Sequence, residues 1–311
     1  QGNLFGITGG EGTGKSNYVA AIVAGCICPA GAEVDTLGIQ ITANGRHKAV
    51  LLYDTEQSEV QLFKNVGNLL ARAKQPDKPD ELKAFCLTGM SRKERLNAIV
   101  QSMDKFYYQY GGIQLVVIDG IADLVKSAND EAESVAVIDE LYRLAGIYNT
   151  CILCVLHFVP NGLKLRGHLG SELQRKAATI LSIEKDEEPT QSVVKALKVR
   201  DGSPLDVPLM LFAWDKEAGM HVYKGEKPRE EKEKRKEREL VNVARDIFGR
   251  QTRITYIDLC EQLQQVLDIK ERTAKSYIRF MRERDIITKD TANQSCFVIG
   301  SYNLQRNTSC P

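Results

Sequence analysis

No apolar run in this chain approaches the length that a membrane-spanning helix needs, so no contact with a bilayer is expected. A second cysteine pair at zinc-finger spacing is also missing. Cys151 and Cys154 fall inside the apolar run CILCVL, and Cys26 and Cys28 close the first helical pattern. That placement argues against a structural zinc and against a disulfide framework. The eight cysteines read instead as reduced thiols of a cytoplasmic protein. No internal repeat is present. No secretory leader precedes the first strand pattern. The chain starts at Gln1 rather than Met, so a longer N-terminus is expected. Nor is there an excess of charge: 42 Lys and Arg face 41 Asp and Glu, a net charge of +1.

The charge is unevenly spread. From Lys227 onward, 18 basic residues stand against 13 acidic ones, which leaves the first 226 residues at −4. A mildly acidic body with a basic tail points to a polyanionic partner. The remaining totals are those of an ordinary globular chain of 311 residues, long enough for one large core and a smaller one.

Strand and helix patterns alternate through the first half. NLFGITG, AVLLYDT, KAFCLTG, IQLVVID and CILCVLHF read as strands, with helical patterns between them. Continuously apolar strands belong to a parallel sheet covered by helices on both faces. After Phe158 come TILSIEK, SVVKALKVR, VPLMLFAWD and GMHVYK at short spacing, which suggest an antiparallel extension on one sheet edge. Residues 226–239 form a charged linker or the start of a helix. Residues 240–311 show helix patterns at Val241–Phe248, Tyr256–Leu267 and Arg272–Arg284, then the hairpin pattern IITKDTANQSCFVIG. Three short helices and a two-stranded wing suggest a winged helix-turn-helix domain.

The stretch GGEGTGKS matches the phosphate-loop pattern G-x-x-x-x-G-K-[ST] without a mismatch. Glycines at Gly9, Gly12 and Gly14 let backbone N–H groups turn toward phosphate oxygens, and the following helix presents its positive end to the same anion. The nucleotide-binding set is therefore Gly9, Gly10, Glu11, Gly12, Thr13, Gly14, Lys15, Ser16 and Asn17. Lys15 reaches the β- and γ-phosphates, and the Ser16 hydroxyl binds Mg²⁺. Asp119, at the end of IQLVVID, is positioned to hold the same Mg²⁺ through water. The cofactors expected are ATP and Mg²⁺. Glu56 follows the second strand and is either the base that activates the attacking water or an exposed loop glutamate. Asp54 competes with it for that role. Asp123 is equally a loop or capping residue.

Taken as an ordered set, GGEGTGKS, DTE, VVID and CVLHF resemble the RecA-like ATPases, nearest the RepA- and DnaB-type hexameric helicases of plasmids and mobile elements. The resemblance covers residues 3–224. It implies an α/β fold, a RecA-like sheet in residues 1–225. It implies Glu56 as general base and His157 as the polar residue sensing the γ-phosphate, where some relatives carry glutamine. It implies that the loop after His157, with Lys164, Arg166 and His168, touches DNA. It further implies that LKVRDGSP sends Lys198 and Arg200 into a neighbouring subunit's nucleotide, in a homo-oligomer of hexameric type.

In the tail, Ala274, Ile278 and Met281 would pack inward. Arg272, Lys275, Arg279 and Arg282 form a basic stripe, with Ser276 beside it, suited either to DNA or to an ordinary solvated face. The sequence thus leads to a DNA-coupled ATPase of helicase or translocase type. The alternative is an ATP-dependent DNA-binding regulator or assembly switch that does not translocate. A small-molecule kinase could use the same loop, but no acceptor lid is legible.

Overall fold

Five apolar strand patterns and four later ones assemble into a single nine-stranded sheet of order β3-β2-β4-β5-β1-β6-β7-β8-β9. A computed structural model describes residues 2–157, 167–186, 188–227, 232–291 and 293–303. The chain divides into two units, Gln1–Arg229 and Glu230–Pro311.

In the first unit, β1 (Asn3–Gly9), β2 (Ala49–Asp54), β3 (Leu82–Cys86), β4 (Ile113–Asp119) and β5 (Cys151–His157) run parallel. Between them lie α1 (Lys15–Ile27), α2 (Glu59–Arg72), α3 (Arg92–Tyr110) and α4 (Glu131–Ile147). The central strands are buried on both faces, whereas the edge strand β3 is fully buried only at Leu82. Leu51, Tyr53, Val116 and Ile118 pack under α3 and α4, while Val50, Leu52, Leu115 and Val117 pack under α1 and α2. That alternation into two cores explains why β2 and β5 read as nearly unbroken apolar runs. Burying each such large aliphatic side chain contributes about 1.5–3 kcal/mol.

The short helix α5 (Gly167–Lys176) then returns the chain to the other side of β1. Consequently β6 (Thr179–Lys185) pairs with β1 in parallel, which corrects the expectation that the antiparallel extension begins at TILSIEK. The antiparallel part is β7 (Gln191–Val199), β8 (Leu209–Asp215) and β9 (Met220–Lys227). The parallel strands all end at one edge of the sheet, the place where doubly wound α/β sheets carry their ligands.

The second unit contains α6 (Lys232–Arg250), α7 (Tyr256–Leu267) and α8 (Glu271–Glu283), with a three-stranded antiparallel sheet of order β10-β12-β11. These strands are β10 (Ile254–Thr255), β11 (Ile287–Lys289) and β12 (Cys296–Ile299). Helix α6 begins within the charged stretch at 226–239. The expected hairpin is present as β11 and β12, and the two residues of β10 add a strand that the pattern did not reveal. Ala274, Ile278 and Met281 are buried, as their spacing requires. No helix among the described residues is long and apolar enough to cross a membrane.

Candidate nucleotide site

The phosphate loop joins β1 to α1 at the carboxyl edge of the sheet. Gly14 is the residue before α1, with φ of 94°, a conformation that an L side chain rarely adopts. A Cβ placed there would also lie 2.9 Å from the Phe212 ring, so the position is closed to larger residues twice over. Helices α2 and α4 begin on Ser58 and Asp130, whose side chains accept from backbone N–H groups in the first turn. Helix α3 begins on Ser91, whose N–H donates to Glu94 at 2.7 Å. Helix α1 has no side-chain cap and no acidic residue in its first turn. Its open N–H groups and positive end therefore suit an anion supplied from outside.

Lys15 is buried, and its ammonium donates to the carbonyls of Gly9 at 3.0 Å and Gly10 at 2.6 Å. Burial lowers its pKa, against the opposing pull of Asp119, Glu56 and Glu11. Thr13 donates to Gly10 O at 2.9 Å and braces the loop, while Ser16 is exposed.

Three acids meet beside the loop. Register places Asp54 opposite Asp119 on the neighbouring strands β2 and β4. Asp119 keeps some exposed surface, yet its pKa is pushed up to about 7, first by burial and then by Asp54 and Glu56. Lys15 and His157 pull the other way. Among the described residues no three acids stand close enough to hold a metal ion by themselves, but Asp119 and the exposed hydroxyl of Ser16 offer the oxygen donors that Mg²⁺ takes alongside phosphate oxygens and waters. The residues present therefore fit both a phosphate group and a hard cation.

Asp54 is engaged in the turn before Glu56. It is 2% exposed, and its Oδ1 accepts from the N–H groups of Glu56 at 3.0 Å and Gln57 at 2.8 Å. It shapes the turn that presents Glu56. Thr55 completes that turn by donating to the carbonyls of Asp119 at 3.0 Å and Gly120 at 2.8 Å. Gly120, with φ of 96°, must be glycine for this contact: a Cβ would lie 2.4 Å from Thr55 Oγ1. Glu56 is thus held on a fixed turn and is half exposed. Its Oε2 lies 3.3 Å from His157 Nε2. His157 pairs in register with Gly9, which places it beside the start of the phosphate loop. Lys15, Glu56, Asp119 and His157 are therefore brought together. Asp123 turns away instead, its carboxylate 3.7 Å from Arg95 Nη1.

Other expected residues lie elsewhere. Lys198 donates to the carbonyls of Gln174 at 2.6 Å and Arg175 at 3.1 Å, and Arg200 to Lys176 O at 2.9 Å. Both cap the end of α5. Register sets Val199 beside Thr179, which pairs with Phe5 at the amino edge of the sheet. Four residues of strand, roughly 13 Å, separate that level from Gly9. Within one chain these two cations do not join the site, and their expected reach into a neighbouring subunit is not tested by a single chain. Lys164 and Arg166 lie outside the described residues.

In the second unit, Arg272, Lys275, Ser276, Arg279 and Arg282 share the exposed side of α8. The stripe is partly neutralised, with Lys275 2.7 Å from Glu271 and Arg279 2.8 Å from Glu283. A feature that the sequence did not signal is a cavity of about 980 Å³ between the starts of α3 and α4. Arg92, Lys93, Arg95 and Lys126 line it together with Asp123 and Glu133. No motif joins residue 92 to residue 126, so only folding brings them together.

A family model described as an AAA domain, AAA_25, matches residues 1–161. No curated protein matches the chain.

Proposed function

The chain belongs to the AAA-domain P-loop ATPases, relatives of the RecA- and DnaB-like helicases, and from that premise we propose that it hydrolyses ATP in an oligomer coupled to DNA. The observation that carries the hydrolytic part is the Glu56–His157 pair, 3.3 Å apart, beside Asp119 and Lys15. Gly9 to Asn17 wrap the phosphates, Lys15 leaves its loop carbonyls for phosphate oxygens, and Ser16 and Asp119 hold Mg²⁺. Bound Mg·ATP supplies the phosphoanhydride and the cation that spreads its developing charge. Glu56 then takes the proton of the attacking water, and His157 keeps the Glu56 carboxylate aimed. Lys198 and Arg200 complete the site from a neighbouring copy, so turnover depends on assembly, in a ring of hexameric type.

Coupling to DNA rests on the basic face of α8 and on the basic-walled cavity at α3 and α4. The element order of the second unit suits a winged helix-turn-helix. The role that best joins these parts is a RepA- or DnaB-type helicase or translocase serving a plasmid or mobile element. A second reading is an ATP-dependent assembly switch that binds DNA without moving on it. The caps that Lys198 and Arg200 make on α5 favour it, because both cations must leave those carbonyls before they can reach a neighbour's nucleotide.

The deciding experiment is steady-state ATP hydrolysis by the full chain with and without single-stranded DNA, with Glu56→Gln as control. Strong stimulation in the native chain, with turnover reduced about a hundredfold or more in the variant, is expected for a motor with Glu56 as base. Turnover indifferent to DNA selects the switch. An unimpaired Glu56→Gln removes the catalytic assignment.

A further inference from the structure

The groups suited to hydrolysis stand on one side of the phosphate loop only. Glu56 follows β2, and Asp119 and His157 end β4 and β5, all on one side of β1 in the sheet order. If the loop holds a nucleotide as argued above, its terminal phosphate points that way. The nucleoside must then leave in the opposite direction, over the start of α1 toward β6, β7 and β8.

A run of aromatic rings, buried at its inner end, leads in the same direction. Phe212 of β8 packs against Gly14 and lies 5.9 Å from the Tyr18 ring of α1. Register carries Phe212 two positions past the row of Gly9, toward the loop edge of the sheet. Trp214 follows on the same face of β8. It stands edge-on to His221 of β9 at 5.5 Å, and His221 stands edge-on to Phe212 at 5.6 Å. The hairpin that carries Trp214 is fixed, because Asp215 Oδ1 accepts from the N–H groups of Glu217 and Ala218, each at 3.1 Å. Three strand spacings, roughly 14 Å, separate β8 from β1, and α1 fills part of that span. The run of rings leads outward from the phosphate loop and ends in an indole that is 54% exposed. A large flat ring held rigid at the surface loses free energy to water that a second flat ring would recover.

We propose that Trp214, held in place by His221, is the stacking platform for the nucleobase of the bound nucleotide. The inference rests on the nucleotide reading of the loop, and its test separates the two. Trp214 is the one tryptophan of the chain, so its emission reports this position alone. Titration of the full chain with ATP and Mg²⁺ is expected to change that emission, whereas inorganic tripolyphosphate with Mg²⁺ is expected to bind and leave it unchanged. By calorimetry, Trp214→Ala is expected to weaken ATP roughly ten- to a hundredfold and to leave tripolyphosphate affinity as it was. Trp214→Phe is expected to restore most of the loss. Circular dichroism checks that both variants fold. If Trp214→Ala binds ATP and tripolyphosphate as the native chain does, the platform is overturned and the nucleotide reading stands. If neither ligand binds the native chain, the loop reading fails and the platform falls with it.

Discussion

Asp119 carries two opposed demands. Its folded pKa of about 7 lies above the ordinary value of 3.8, because burial and the nearby Asp54 and Glu56 disfavour its charge. A carboxyl with a raised folded pKa binds its proton more tightly in the folded chain than in the unfolded one. No penalty exists below about pH 4. The penalty then grows as pH climbs toward 7, where it reaches the order of a few kcal/mol. Asp119→Asn is therefore expected to raise the melting temperature of the nucleotide-free chain at pH 8 by several degrees, and to abolish hydrolysis. The thermal gain should shrink as pH is lowered toward 4. Melting curves across that range check it, and a gain that does not change with pH would remove the electrostatic account. The residues of the loop itself were legible in the sequence, because a contiguous motif dictates their geometry. The role of Asp54 was not. It depends on a carboxylate turning back onto the N–H groups of Glu56 and Gln57, and nothing in DTEQ distinguishes that acceptor from a base. Phe212 was hidden for a different reason: its contact with Gly14 exists only after β8 has been added to the sheet.

At the level of elements, strands were easier to read than their directions. AVLLYD is buried at every position, and such a run between two helical patterns has few alternatives. The direction of β6 was misjudged, because short spacing suggested hairpins while α5 performs a crossover. The same crossover gives Lys198 and Arg200 their partners. The last carbonyls of α5 have no partner within the helix, and cations favour that end. In the single chain these residues therefore act as caps, whatever they do in an assembly. The two roles make different predictions. If Arg200 serves a neighbour, Arg200→Ala and Glu56→Gln are each inactive alone, yet mixing them is expected to regain measurable hydrolysis. An interface that draws Glu56 from one variant and Arg200 from the other is complete. Activity that stays absent on mixing, with both variants folded and assembled, would leave Arg200 as a cap of α5.

Across the whole molecule, charge is mildly sorted between the two units: residues 1–229 hold 26 basic and 28 acidic residues, a sum of −2, and residues 230–311 hold 16 and 13, a sum of +3. An acidic body repels a polyanion and a basic one attracts it, so the proposed coupling to DNA assigns the DNA contact to the second unit. Its strength is limited from within. Glu271 and Glu283 pair with Lys275 and Arg279 on the same helix, and both pairs are exposed, so each is weak and gives way to a phosphate at small cost. Two opposite changes follow. Arg279→Ala is expected to weaken DNA binding across all sequences and to flatten the dependence of log affinity on log salt by about one unit. Glu283→Gln leaves Arg279 without its competitor and is expected to tighten binding, most clearly at low salt. Fluorescence anisotropy of labelled single- and double-stranded oligonucleotides, titrated with the full-length variants at several salt concentrations, reads both changes. Opposite shifts place the α8 stripe on the phosphate backbone. Unchanged affinity in both variants would assign that face to solvent and leave the basic cavity between α3 and α4 as the surface that meets DNA.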